Sequence, residues 1–349
     1  MTFQLLVRKK QALSDATYSN EKSEMAGKGE MHMKEVRITD INGVKVGHAQ
    51  NREGGSGCTV LLFDHAYLAS CDVRGGAPAT RETDLLKPSC GNQGIHAVLL
   101  SGGSAFGLEA NMGVMQYLEE KGIGYSIAGG VVPIVSGACI FDLPVGDWNC
   151  RPDKAMGYQA CLNAKYGDIE EGVIGAGTGA SVGKLFGRKN GMKSGIGTYA
   201  LQYGDIIVGA IVAVNAVGDV YDIDTNRIIA GAHKTEPGNW YGQEAMFERL
   251  AAVPPESGGN TTIGCVLTNA KLSKGMMQKM AEVAHNGYAR AIRPIHTLGD
   301  GDTIFSVTTG EYEADINTIH ALGAEVMARA IMRAVSLSHG AYGYPGAAD

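Results

Sequence analysis

Asn260-Thr261 stands where a glycine-bearing loop becomes an apolar strand, within Ser257-Gly258-Gly259-Asn260-Thr261-Thr262-Ile263-Gly264-Cys265-Val266-Leu267. From a strained turn there, the Thr261 hydroxyl can attack the Asn260 carbonyl carbon and shift the acyl group from nitrogen to oxygen. Water then splits the ester and leaves Thr261 as the first residue of a new chain. The freed α-amine, with an ordinary pKa of about 7.7–8.0, is a suitable base for the same hydroxyl. A threonine hydroxyl is a weak nucleophile until such a base stands beside it. The same pattern also describes an ordinary loop-to-strand junction with a threonine in the turn.

Other residues carry chemistry in principle. Asn215 ends an apolar strand, where an amide is costly unless hydrogen-bonded; it either caps the turn or donates to an oxyanion. Lys184 follows the glycine ladder Gly175-Ala176-Gly177-Thr178-Gly179-Ala180. That ladder fits G-x-G-x-x-A formally, but the P-loop pattern fails at Thr178 and Leu185. Its glycines, Gly177 among them, let two sheet layers or a bound substrate approach the backbone. Asp300 and Asp302, paired at a strand start, can hold an amine or a metal, or one can keep the other protonated; aspartates in a glycine turn are also common without such a role. No HExxH, EF-hand or C-x-x-C pattern is present and the nine histidines are dispersed, so neither a metal nor a cofactor is expected. His285 and His296 read as structural or surface residues. Ser101-Gly102-Gly103-Ser104 lacks the last glycine of a nucleophile elbow, because Phe106 stands there, and Ser104 reads as a helix cap.

The elements that must position these groups follow from periodicity. Strands are expected over residues 36–41 and 44–47, joined by an Asn42-Gly43 hairpin, then over 58–63, 67–73 and 96–100. A helix over 105–121 places Leu108, Met112, Met115 and Leu118 on one face. A buried stretch runs from 129 to 142 and a helix from 153 to 164. Paired strands 194–202 and 205–215 turn at Tyr203-Gly204, with a short strand at 220–223. Residues 225–259 read as a long connector with a short helix at 243–251, the natural place for a cut. The strand at Thr261, a helix over 273–291, a strand over 303–308 and a helix over 314–335 then close the sheet.

Composition sets the bounds. The 349 residues, 44% of them hydrophobic, can bury a full core, and 50 glycines point to many tight turns or close backbone approaches. A net charge of −6 gives no basic footprint, which argues against nucleic acid as a partner. Seven scattered cysteines fit free thiols in a reducing cytoplasm. The N-terminal apolar residues precede the basic ones, the wrong order for a secretory signal. The most apolar run, 206–217, is too short to span a bilayer, so a soluble protein with no membrane partner is expected. Residues 1–33 read as a flexible extension, with 34–349 forming one domain.

Several stretches together resemble the P1-family peptidases, the aminopeptidase/D-esterase and β-peptidyl aminopeptidase group. They are Arg74-Gly75-Gly76-Ala77-Pro78 with Thr80-Arg81-Glu82-Thr83-Asp84; Ser101 to Leu108; Gly175 to Lys184; Val214-Asn215-Ala216-Val217-Gly218-Asp219; Asn260-Thr261-Thr262; and Gly299-Asp300-Gly301-Asp302. The threonine and double aspartate look closest to the nylon-oligomer hydrolase branch. The resemblance implies an α+β fold, a four-layer αββα sandwich of the type shared with ornithine acetyltransferases, cut into residues 1–260 and 261–349. It implies Thr261 as nucleophile, Asn260 as the new C-terminus, Asn215 as oxyanion donor, Lys184 as a base or amide-positioning group, and Asp300 and Asp302 as orienters of the nucleophile's amine. Aminopeptidase members carry Ser-x-Glu where this chain has Asp300-x-Asp302. Phe141 lies near the position of an active-site tyrosine in some members and is a substrate-wall candidate. The activity implied is hydrolysis of a small peptide or amide by a homotetramer of cut pairs. An acyltransferase is the alternative, and a nucleotide-binding module using the glycine ladder is a third reading.

Overall fold

The computed structural model describes residues 32–92, 94–252 and 259–349. Nearly all of the expected N-terminal extension, and Pro254, Pro255, Ser257 and Gly258 of the loop before Thr261, lie outside the described residues.

Ten strands form the main sheet system: β1 (Lys34–Val36), β2 (Val44–Asn51), β3 (Ser56–Val73), β4 (Thr80–Arg81), β5 (Ile95–Ser101), β6 (Val135–Cys139), β7 (Ile196–Tyr203), β8 (Ile206–Asn215), β9 (Thr261–Ala270) and β10 (Thr303–Tyr312). Their order is β1-β7-β8-β9-β10-β3-β5-β6-β4, with β2 also paired to β3. The principal helices are α1 (Ala110–Glu120), α2 (Lys154–Leu162), α3 (Lys274–Ala291) and α4 (Ile316–Ser336).

One strand belongs to two sheets. Residues 68–73 of β3 pair with β10, whereas its residues 56–63 pair with β2 and 58–62 with β5, across an irregularity between Leu62 and Tyr67. The strands expected at 58–63 and 67–73 are therefore one element, bent where it passes from sheet to sheet.

Three apolar clusters separate four layers. Val208, Val212 and Val266 pack against Met277, Tyr288 and Ile331 of α3 and α4. Ile211, Ile263, Cys265 and Phe305 meet Leu61, Phe63, Val98 and Leu100 between the sheets. Val60 and Leu99 on the far face pack against Ala110, Val114 and Leu118 of α1 and Ala160 of α2. Each strand thus sends alternate residues to opposite cores, as a period of two requires. β9 is buried along its whole length because both of its faces and both of its edges are covered. The result is the expected αββα sandwich.

Helix starts follow local chemistry. Asp153, Ser273 and Asp315 each accept a backbone N–H with the side chain at the heads of α2, α3 and α4.

Three expectations are corrected. The Asn42-Gly43 hairpin does not form: β1 pairs with β7 and β2 with β3, because Ile38, which opens the short turn Ile38–Asp40, and Ile41, which follows it, are drawn into the core between the sheets. The buried face of α1 is Ala110, Asn111, Gly113, Val114 and Leu118, with Met112 exposed. Residues 104–109 form a 3₁₀ turn, which resets the helical phase at Ala110. The last two strands do not close an edge; β9 and β10 are parallel neighbours in the middle of the sheet. All seven cysteines are free thiols. Among the described residues, no helix is long and apolar enough to cross a membrane.

Candidate active site

Strand directions bring the candidates together. β9 and β10 run parallel and begin at the same end of the sheet, and β8, antiparallel to β9, finishes there. Asn215, Thr261 and the Asp300–Asp302 loop therefore meet although they are far apart in the chain. Thr261 shares the inward alternation of Ile263 and Cys265, so its side chain lies at the mouth of the space between the sheets. The end of β6 approaches from the opposite sheet and supplies Phe141.

The Thr261 hydroxyl donates to the Asn260 carbonyl, the carbonyl of the bond it would have to attack. Gly301 N–H lies 3.2 Å from Thr261 Oγ1 and 3.3 Å from Asn260 O, a single donor shared by both reacting groups. A side chain at 301 would collide with that arrangement, since a Cβ there would lie 2.9 Å from Thr261 Oγ1 and 2.8 Å from Ala77 O. Gly259 takes φ +123°, open to glycine but not to other residues, and packs against Phe141.

Lys184 Nζ donates to Asn215 Oδ1 at 2.8 Å, to Asn215 O at 3.0 Å and to Gly259 O at 3.4 Å. Burial, and after it the neighbouring Arg188 charge, holds this amine well below the usual lysine range. Asn215 Nδ2 donates one N–H to Phe141 O at 2.9 Å, and an amide nitrogen carries a second N–H.

The two aspartates are unequal. Asp302 accepts from Thr262 N at 2.7 Å on Oδ1, and on Oδ2 from His296 N at 3.1 Å and His296 Nδ1 at 2.9 Å. Asp300 accepts from Thr297 N at 2.7 Å on Oδ2, and its buried Oδ1 has no partner among the described residues. Burial first, and the Asp302 charge second, push Asp300 up to about 6.

A cavity of about 150 Å³ opens onto Thr261, lined also by Ala77, Ala79, Ser104, Cys139, Phe141 and Asn260. Phe141 forms one wall of this cavity. Ser104 is not a helix cap: it makes no capping bond, lies at φ 54° and faces the cavity. Gly177 does not reach the site. A Cβ on it would strike the backbone of Gly195 and Ile196, so its smallness serves backbone packing. The Gly175–Gly177 stretch is a 3₁₀ turn, unlike the strand-to-helix junction a dinucleotide motif needs. His296, expected to be structural or at the surface, holds Asp302; its place in the same loop as the acidic pair was the only sequence signal. Among the described residues no three His, Cys, Asp or Glu side chains gather as a metal-ligand set.

A threonine hydroxyl on its own peptide carbonyl, inside an αββα sandwich, is the arrangement an N-terminal-nucleophile amide hydrolase would need before cutting itself. Residues 37–348 match Peptidase family S58. An uncharacterized aminopeptidase of Mycobacterium leprae (strain TN) is 40% identical over 344 residues, spanning 88% of this chain and 92% of the relative. A 6-aminohexanoate-oligomer endohydrolase of Kocuria sp. (strain KY2) is 33% identical over 313 residues, covering 84% of each chain. The fold is similar to the L-aminopeptidase D-Ala-esterase/amidase of Ochrobactrum anthropi, described as a variant of the Ntn hydrolase fold (TM-score 0.67, 17% identity, 90% of this chain and 91% of that one). A Burkholderia sp. beta-aminopeptidase is comparably similar (TM-score 0.65, 20% identity, 91% and 92% covered). The chain belongs to peptidase family S58.

Proposed function

We propose that this chain cuts itself between Asn260 and Thr261 and then uses Thr261 to hydrolyse small peptides or amides, ω-amino-acid oligomers among them. The single supporting observation is the Thr261 hydroxyl on the Asn260 carbonyl, with Gly301 N–H reaching both oxygens. Attack by Oγ1 on the Asn260 carbonyl carbon forms an ester as the C–N bond breaks and Thr261 nitrogen takes the proton. Water then hydrolyses the ester and frees residues 1–260 and 261–349.

In the cut protein the Thr261 amine takes the hydroxyl proton as Oγ1 attacks the substrate amide. Asn215 Nδ2 offers its second N–H to the tetrahedral oxyanion, while Lys184 holds the amide oxygen so that the nitrogen points there. Asp302 is held by its three donors, and the unpartnered Asp300 Oδ1 receives the Thr261 ammonium. Collapse expels the amine, and water releases the acyl group. The names of two relatives, an aminopeptidase and an oligomer endohydrolase, support the amide substrate class. The cut pairs are read as a cytoplasmic homotetramer, to be checked by light scattering.

Intact mass under denaturing conditions tests the cut. Two chains separated after Asn260 are expected, and active protein found only at 36.6 kDa overturns the reading. Incubation with aminoacyl 4-nitroanilides and linear 6-aminohexanoate oligomers should release free acid. Predominant transfer to an added amine would make the protein an acyltransferase.

A further inference from the structure

The orientation of the Asn215 amide is set by Lys184 Nζ and by two separate stretches of backbone. Its Oδ1 accepts from Ser181 N at 3.1 Å, and its Nδ2 donates to Phe141 O at 2.9 Å. Behind each stretch sits a fully buried ionisable side chain that the proposed reaction does not use. Asp142, adjoining Phe141, accepts from Gly103 N at 2.6 Å and from Ser56 Oγ at 2.8 Å. Lys193 Nζ donates to Gly177 O at 3.1 Å, Ala180 O at 2.5 Å and Ser194 O at 2.6 Å, and Ala180 adjoins Ser181. The two stretches touch, since a Cβ on Gly179 would lie 2.4 Å from Asp142 Oδ2.

Buried ionisable groups are costly unless hydrogen-bonded, and usually they pair with one another. Here they do not. Their hydrogen bonds go to the scaffold around Asn215's two backbone partners. Burial pushes Asp142 up to about 6 and Lys193 down to about 7, the cost to be expected of groups kept for where they stand.

We propose that Asp142 with Ser56 on one side, and Lys193 on the other, are positioning residues for Asn215. They fix Phe141 O and Ser181 N–H, and so aim the remaining Asn215 N–H at the oxyanion. The inference rests on the assignment of Asn215 as oxyanion donor.

A double-mutant cycle tests it, measured as kcat and KM on an aminoacyl 4-nitroanilide or, if cleaved faster, the 6-aminohexanoate trimer. Asp142→Asn and Ser56→Ala are each made alone and in the Asn215→Ala background. Alone, each should lower kcat at least about tenfold with KM unchanged, as small misplacements of catalytic groups do. Combined with Asn215→Ala, neither should lower kcat further, within the roughly twofold scatter of such cycles. Equal losses in both backgrounds, an effect on KM alone, or no effect overturns the proposal. Should Asp142→Asn fail to fold, Ser56→Ala decides alone, because the Gly103 bond to Asp142 remains. An Asn215→Ala variant with wild-type kcat would remove the oxyanion assignment itself. A slow Asn215→Ala variant with multiplying effects would remove the positioning role only.

Discussion

Asn215 and Thr261 are register partners across the antiparallel strands β8 and β9. The amide and the hydroxyl are therefore held to one another by a central sheet ladder rather than by a loop. Parallel pairing of β9 with β10 brings the acidic loop to the other side of the same strand, with Asn260 bridged to Asp300. A hydroxyl placed this way cannot drift from the Asn215 amide without breaking the middle of the sheet.

Removal of the hydroxyl separates folding from cutting. Thr261→Ala is expected to fold, to remain a single chain of 36.6 kDa on a denaturing gel and to hydrolyse nothing. Two bands from that variant would take Thr261 out of the mechanism.

Asn215 should matter to turnover more than to binding. Asn215→Ala is expected to lower kcat by about 10²–10³, the usual cost of one oxyanion donor. Unchanged kcat by steady-state assay would dismiss the role.

Lys184 ties Asn215 to Gly259 O, two residues before the bond to be cut. Lys184→Met should slow self-cleavage about tenfold or more, through loosened geometry around Gly259. The uncut fraction on a denaturing gel, followed after synthesis, gives the rate; a wild-type half-time contradicts the assignment.

Asp300 is expected to add a lower step to the acid side of the pH profile, below the one set by the Thr261 amine at about 7.7–8.0. Burial and the Asp302 charge raise Asp300 to about 6, so below that pH it is a neutral acid and no longer an acceptor for the ammonium. The rate kcat/KM should fall further as pH drops through about 6, and Asp300→Asn should be slow at every pH with that step gone. A step persisting in Asp300→Asn assigns it to another group.

Asp219 gives a stability test remote from turnover. Its Oδ1 accepts from Ala232 N at 2.7 Å, its Oδ2 is buried without a partner, and burial raises it to about 6. The folded pKa lies above the unfolded one, so folding takes up a proton between about pH 4 and 6. The stabilisation is complete below about pH 4 and is lost as pH rises through about 6. In the uncut Thr261→Ala background, Asp219→Asn should remove that part of the pH dependence of urea unfolding. Identical slopes in both proteins would show that Asp219 is ionised when folded.

The parts visible in the sequence were those with a local cause. Turn formers before Thr261 and β-branched residues after it mark a loop that becomes a strand. Asn215 at the end of an apolar run, and Tyr203-Gly204 between two such runs, are equally local, and the structure has a strand end and a turn there. Where distant segments compete for the same residues, local reading failed. Asn42-Gly43 carries the hairpin signal, yet burial of Ile38 and Ile41 sends the flanking strands to other partners. Gly177 looked like a substrate contact and is a backbone packing site. His296 read as structural, and it has that role in holding Asp302, a partner no local signal named.

By itself, then, the sequence determined which residues have reactive chemistry and which short elements carry them, because side-chain type and local periodicity need no long-range contact. The tertiary structure alone decided that Asn215, Thr261, Lys184 and the aspartates share one end of a sheet. That outcome depends on strand direction and register, which are set by burial of whole faces between layers and not by any one segment.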